Sequence, residues 1–342
     1  LQAMGLLQGA VGNHWLALEA LNERARLPFL SPIAELSVGL ARARSMFHVG
    51  RPAEAASVAR TAYKLAVRTT DAKRWIPLTL DRAALYSHMA GEHQRGAALY
   101  RTLVPMLGGA GAPEARTANQ LRAALMEGAS LLADGRAPEA LVALQRAETL
   151  LAKVDDADLQ VGVRPYEHAL ALKQLDYRLL IQGLRAQALV GDGQHAAAGK
   201  ALDQRRVALE KRLQQDSDDD TLMQLAAVEL QMAAVAGRTL DKVAAARHLE
   251  AGLAHAQRFA ERTGTNVPPE RLALIRAYAE LHLYGKVPLH QMRRDLVAEL
   301  SQIYGFLCDK PNPARAAERF VFAIYLTSLG EAARTHKQKE TP

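Results

Sequence analysis

Apolar residues recur along this chain at spacings of three and four, in bursts of 15 to 20 positions that glycine interrupts. The clearest stretch runs Glu127-Gly128-Ala-Ser-Leu131-Leu-Ala-Asp-Gly135-Arg-Ala-Pro-Glu139-Ala140-Leu-Val-Ala-Leu144-Gln-Arg-Ala147. A spacing of three to four places side chains on one face of a helix, so each burst predicts an amphipathic helix and each glycine a turn. Turn glycines are read at Gly12, Gly50, Gly91, Gly135, Gly193, Gly237 and Gly285. About five residues after a turn comes a small residue, at Ala17, Ala55, Gly96, Ala140 and Ala198. Four places on comes a larger one at Leu21, Tyr100, Leu144 and Leu202, with Ala59 as a weak copy. The two share a helical face, where a small side chain lets two axes approach. A helix pair of this kind cannot cover its own apolar side and must stack on its neighbours.

The turns stand about 38, 41, 44, 58, 44 and 48 residues apart, longer than the period of about 34 of the commonest helix-pair repeat. The long interval predicts a helix near 165–190. Ser31-Pro32 reads as a helix cap with proline in the first turn, and Asp155-Asp156-Ala-Asp158 and Asp216 to Asp220 as acidic caps. Gly108 to Pro113 is a flexible linker, and Thr263 to Pro269 a loop. The expected fold is all-α, a right-handed superhelical solenoid of about six to seven antiparallel helix pairs. Three segments are expected: N-terminal pairs over 1–107, central pairs over 114–215, and degenerate C-terminal pairs with a capping helix over 220–334. Residues 335–342 read as a disordered tail. Because residue 1 falls a few residues into the first helix, the natural polypeptide is expected to continue upstream.

Composition sharpens this. Nearly half of the 342 residues are hydrophobic but only 5% are aromatic, a palette of Ala and Leu that suits closely packed helices. No apolar run reaches the roughly 20 residues of a membrane span. The net charge is +7, carried by scattered arginines with no run of four or more basic residues, so nucleic-acid binding through this segment is not expected. The single cysteine, Cys308, excludes an internal disulfide and multi-thiolate metal sites.

Catalytic patterns are missing. The Gly108–Gly111 cluster lacks the Lys-Ser/Thr ending that cradles phosphate. There is no His-Glu-x-x-His pair, and His248 and His255 stand too far apart on one helix for joint ligation. Asp216 to Asp220 lacks the mid-loop glycine and closing glutamate of a calcium loop. No enzyme activity and no cofactor are expected.

The unit Gly128 to Ala147, with its small residue, glycine turn, Glu-Ala, bulky residue and Ala, resembles the tetratricopeptide repeat; Gly50-Arg-Pro-Ala-Glu54-Ala55 repeats it and Gly91 to Tyr100 is a looser copy. The longer period is similar to repeat regions of bacterial regulators, such as maltose-regulator-like activators, and to those attached to bacterial Ser/Thr kinases. The resemblance implies a concave groove lined by the first helix of each pair. The matching positions are Arg44, Phe47, His48, Asp81, Leu85, His88, Arg122, Gln187, Gln231, Arg276 and His282. Where relatives that grip a terminal carboxylate use Lys and Asn, this chain carries Leu40 and Arg44. The resemblance therefore implies a non-catalytic scaffold or sensory repeat region of a larger bacterial signalling or regulatory protein, with an acidic or amphipathic protein segment as partner. A small-ligand sensor that switches an attached DNA-binding or kinase domain is the alternative, and an auxiliary domain of an enzyme the third reading. The bacterial cytoplasm is the expected compartment, with the periplasm open, and homo-oligomers through the terminal helices stay open.

Overall fold

Each turn between paired helices is built the same way. The helix ends with one residue in the left-handed region, φ 84° at Gly12, 80° at Gly50 and Gly91, 75° at Gly135 and Gly193. The following residue donates its backbone N–H to the carbonyl five positions back, Arg51 to Met46, Glu92 to Ser87 and Arg136 to Leu131, each at 2.9 Å. That bond closes the open carbonyls of the helix end and reverses the chain within two or three residues. Only glycine takes this conformation without a Cβ penalty.

The computed structural model describes residues 2–26, 30–109, 113–160, 173–215 and 218–264. Among these the protein has thirteen α-helices, one 3-10 helix and no strand. It divides into two compact units, 1–193 and 194–342. The first holds α1 (Gln2–Ala10), α2 (His14–Arg26), α3 (Pro32–His48), α4 (Pro52–Arg68), the 3-10 helix Thr70–Trp75, α5 (Ile76–Met89), α6 (His93–Leu107), α7 (Pro113–Ala133), α8 (Ala137–Leu151), the short α9 (Asp156–Gln160) and α10 (Gln174–Gly191). The second holds α11 (His195–Gln215), α12 (Asp219–Arg238) and α13 (Lys242–Thr263). The predicted helix near 165–190 is described from Gln174 onward. The Gly285 turn, the capping helix, Cys308 and the tail lie outside the described residues.

Caps fall where side-chain chemistry places them. Ser31 Oγ accepts from the Ala34 N–H at 3.3 Å, with Pro32 in the first turn of α3. Asp155 and Asp158 cap each other's backbone N–H at 2.8 and 3.1 Å, opening α9. Asp218 caps α12 by accepting from the Asp220 N–H at 3.0 Å.

Within the first unit each helix from α1 to α7 packs on the next, α9 packs on α7 and α10 on α8; α3 also touches α1 and α5, and α5 touches α7, so the first helices of successive pairs lie side by side. Small residues make the pairs close. Five residues past the turn stand Ala17, Ala55, Gly96 and Ala140, all buried; seven before it stand Gly5, Ala43, Ala84 and Gly128, also buried. A Cβ on Gly128 would come within 2.8 Å of Leu144, and one on Gly5 within 2.6 Å of Leu21. The leucine of the second helix thus fills the space that glycine leaves in the first. A continuous apolar core follows these positions from Leu18 to Ala188.

In the second unit the same register moves the turn. Gly237, expected at the turn, lies within α12 at ordinary helical φ; Leu240 takes the left-handed position at φ 64°. Asp241 donates to the Ala236 carbonyl at 2.9 Å, as its counterparts do. Ala233 precedes Leu240 by seven, Ala245 follows by five, and Leu249 occupies the bulky position, all buried.

Leu240 is 80% exposed, so it loses no packing on replacement. Leu240→Gly is expected to stabilise the protein by about 0.5–1 kcal/mol, the left-handed penalty less the extra freedom glycine has when unfolded. Gly135→Ala is expected to destabilise it by about 1 kcal/mol. Urea unfolding of the two variants checks both signs; a destabilised Leu240→Gly contradicts the turn assignment.

Candidate functional site

The side-by-side packing of α1, α3 and α5 leaves a concavity of about 210 Å³ on the first-helix side of the first unit. Leu6 and Gly9 of α1, Leu40, Ala41 and Arg44 of α3, and Trp75, Leu78 and Arg82 line it. Gly9 and Ala41 carry too little side chain to fill the space, and leucine and tryptophan make its floor apolar. Arg82 reaches across from α5 and donates from Nη1 to the Leu40 carbonyl at 3.3 Å, and Arg44 is exposed. Two guanidinium groups therefore stand against an apolar hollow, a chemistry matched to carboxylates carried on an apolar face.

Past Arg44, the end of α3 carries an aromatic cluster. Phe47, half-buried, stacks on the buried Tyr86 of α5 at 5.0 Å. His48, exposed, stacks on His14 of α2 at 4.1 Å between ring centres. Further along α5, His88 Nδ1 lies 3.0 Å from Ser130 Oγ of α7, and its ring is 5.0 Å from that of His93. Burial, and then the neighbouring His93, hold the His88 imidazole below its ordinary pKa.

The remaining expected groove positions are distributed differently. Asp81 and Leu85 are buried in α5 and do not face solvent. The Tyr100 phenol is pushed well up by burial, then by the Asp81 carboxylate and by Tyr86, which places Asp81 among core tyrosines. Arg122 is 2% exposed, and its guanidinium is spent inside the fold. Nε donates to Tyr177 Oη at 3.0 Å, Nη1 to Asn119 Oδ1 at 2.9 Å and Nη2 to the Leu159 carbonyl at 2.5 Å, tying α7 to α9 and α10. Gln187 is exposed on α10 and Gln231 half-buried on α12 in the second unit. Arg276 and His282 lie outside the described residues. Arg44, Phe47 and His48 thus share the end of α3, His88 lies apart on α5 against Ser130 and His93, and Asp81, Leu85 and Arg122 belong to the core.

Two groups in the first unit carry no local mark in the sequence. Arg82 shares the cleft with Arg44; its position three before Leu85 on α5 carries no local signal, because the cleft exists only where α3 lies beside α5. Glu127, 2% exposed, accepts from Arg101 Nε at 2.9 Å and Arg146 Nη1 at 3.1 Å, joining α6, α7 and α8. In the second unit Glu229 of α12, also buried, lies 2.7 Å from His248 Nδ1 of α13. Among the described residues no three His, Cys, Asp or Glu side chains gather as a metal site, and no helix is long and apolar enough to cross a membrane.

No family model and no curated protein matches the chain. Solved structures do: 28 of their chains align with it. One, from the structure of Naa15/Naa10 bound to HypK-THB, aligns over 95% of this chain and 49% of its own, at 14% identity and a TM-score of 0.29. The chain therefore spans about half the length of that chain. A likeness of this degree assigns neither partner nor activity, which must come from the geometry above.

His88 supplies a pH test. Its folded pKa lies below the value of about 6.5 that it has in the unfolded chain, so the unfolded state takes up the proton first as pH falls. Its contribution to stability is complete above that value and is lost downward through the folded pKa. Burial holds His255 of the second unit low in the same sense. The melting temperature is expected to fall between about pH 7 and pH 5, and less steeply in His88→Gln. Identical slopes in the two proteins, followed by circular dichroism, contradict this account of His88.

Proposed function

We propose that the first-helix side of the first unit is a docking groove for an acidic, amphipathic protein segment. The chain then serves as a non-catalytic scaffold or sensory repeat region within a larger bacterial signalling or regulatory protein. The observation that carries the reading is the hollow between α1, α3 and α5, apolar at its floor and flanked by Arg44 and Arg82. An amphipathic helix sets leucines at a spacing of three to four into such a hollow, while its carboxylates reach the two guanidinium groups. The net charge of +7 favours encounter with an acidic partner. Helices held by buried close contacts are ordered before the partner arrives, so little conformational entropy is lost in the protein on binding. Phe47 and His48 follow Arg44 at the end of α3, where their rings stack on Tyr86 and His14.

Trp75 lines the hollow and Trp15 is the second of the two tryptophans, so a Trp15→Phe protein carries one reporter at the site. A helical peptide with leucine at positions i, i+3, i+4 and i+7 and glutamate elsewhere is expected to change Trp75 fluorescence saturably, with affinity falling as salt rises. Arg44→Glu is expected to weaken binding by about tenfold or more. A lysine version of the peptide that binds equally well, or an unchanged affinity in Arg44→Glu, contradicts the proposal.

A further inference from the structure

A second hollow lies on the other side of α3. Residues two apart on a helix point about 200° apart, so Arg42 faces away from the groove that Arg44 lines. The hollow, about 520 Å³, opens between α2, α3 and α4 and is lined by Glu35, Val38, Gly39 and Arg42 of α3 and by Val58 and Leu65 among others of α4. Glu35, Val38, Gly39 and Arg42 follow a three-and-four spacing and form one face of the helix. The space arises because Gly39 meets Ala62, whose methyl would stand 3.7 Å from a Cβ at Gly39. The corresponding positions hold Leu80 and Leu103 in the third pair, and Ala124 and Ala147 in the fourth, all fully covered; Gly39 stays half-exposed.

Arg42 is half-buried here, and burial lowers its guanidinium pKa, a sign that its charge is incompletely compensated. A guanidinium has five N–H donors. Nε donates to Asn22 Oδ1 at 2.9 Å, and among the described residues no carboxylate pairs with Arg42. A partly desolvated cation in a cleft that Ser57 and Thr61 line together with Val38, Val58 and Leu65, within the roughly 300–1,000 Å³ range of ligand sites, is matched to a small anion. The ligand must carry one negative charge and no more. There is a single cation to receive it, and the exposed Glu35 carboxylate, two turns away on the same face, opposes a second negative charge. The part of the wall formed by Val38, Val58, Ala62 and Leu65 takes an apolar body, and Ser57 and Thr61 lie beside it.

We propose that this cleft binds a small aliphatic monocarboxylate, with the carboxylate on Arg42 and the hydrocarbon against Val38, Val58 and Leu65. The site is independent of the groove on the opposite side of α3.

Isothermal titration calorimetry of the whole chain tests this with three probes, hexanoate, hexan-1-ol and inorganic phosphate. Hexanoate is expected to bind saturably at one equivalent in the millimolar range or tighter, hexan-1-ol about tenfold more weakly, and phosphate not at all. Arg42→Gln, checked for helicity by circular dichroism, is expected to lose about tenfold in hexanoate affinity, the loss of a charge-assisted hydrogen bond. Glu35→Gln is expected to bind hexanoate two- to fivefold more tightly, roughly the gain from removing a screened like charge. That gain cannot come from a damaged fold and decides the matter if Arg42→Gln unfolds. No hexanoate binding, hexan-1-ol binding as well as hexanoate, saturation by phosphate, parental affinity in a folded Arg42→Gln, or no gain in Glu35→Gln overturns the proposal.

Discussion

Two helices can lie close only where one presents little more than backbone to the other. Among the described residues that condition is met at two places in each pair, seven residues before the turn and five after it, and in all but the α3–α4 pair, which has Ala59, a bulky residue four further on occupies the gap so created. Gly5 against Leu21 and Gly128 against Leu144 show the constraint at its tightest, since a single added methyl would overlap the leucine. The close approach sets the distance between paired helices, and hence which side of the first helix stays open to solvent. Both hollows of the first unit follow from the same source, glycine or alanine where a larger side chain would have filled the space: Gly9 and Ala41 on one side of α3, Gly39 and Ala62 on the other.

Polar contacts then fix the register of helices that apolar packing alone would leave free to slide. Glu127 is held between arginines from the helices before and after its own, and Arg122 joins three helices through three hydrogen bonds. Buried charges carry a desolvation cost that such bonds offset only when nearly all of the polar atoms are satisfied, as with these two residues. Their role is to position α7, not to meet a ligand. The two proposed binding surfaces rest instead on the exposed Arg44 and the half-buried Arg42, two apart in sequence and on opposite sides of one helix.

Much of the fold was legible in the chain because its rules are local. A glycine in the left-handed position, a small residue five later, and Ser31 or Asp155 before a helix act within one turn of themselves. The sixth turn departs from the glycine pattern, because Leu240 and not Gly237 takes the left-handed position. The small residues around Leu240, Ala233 and Ala245, identify the position, whereas Gly237 is followed five residues later by Lys242, which no close helix contact admits. The candidate groove was less legible. Asp81, Leu85 and His88 share one face of α5 and read as an exposed stripe beside an apolar one. A helix inside an array is covered by α3, α4, α6 and α7 together, and only Met89 of α5 is exposed. Periodicity reports one covered face and is blind to a third neighbour. Arg122 is hidden by a tyrosine and a carbonyl 55 and 37 residues away, partners no local pattern announces.

The central claim is that each pair is closed by its own small residues and supported by its immediate neighbours. Ala140, fully buried opposite α7, is the place to test it. Hydrogen exchange of Ala140→Arg, read by mass spectrometry along the chain, measures how far the damage spreads. The account predicts lost protection in α7 and α8, a smaller loss in α6 and α10, and parental protection in α12 and α13. Equal loss of protection from α1 to α13, or none in α7 and α8, would contradict it.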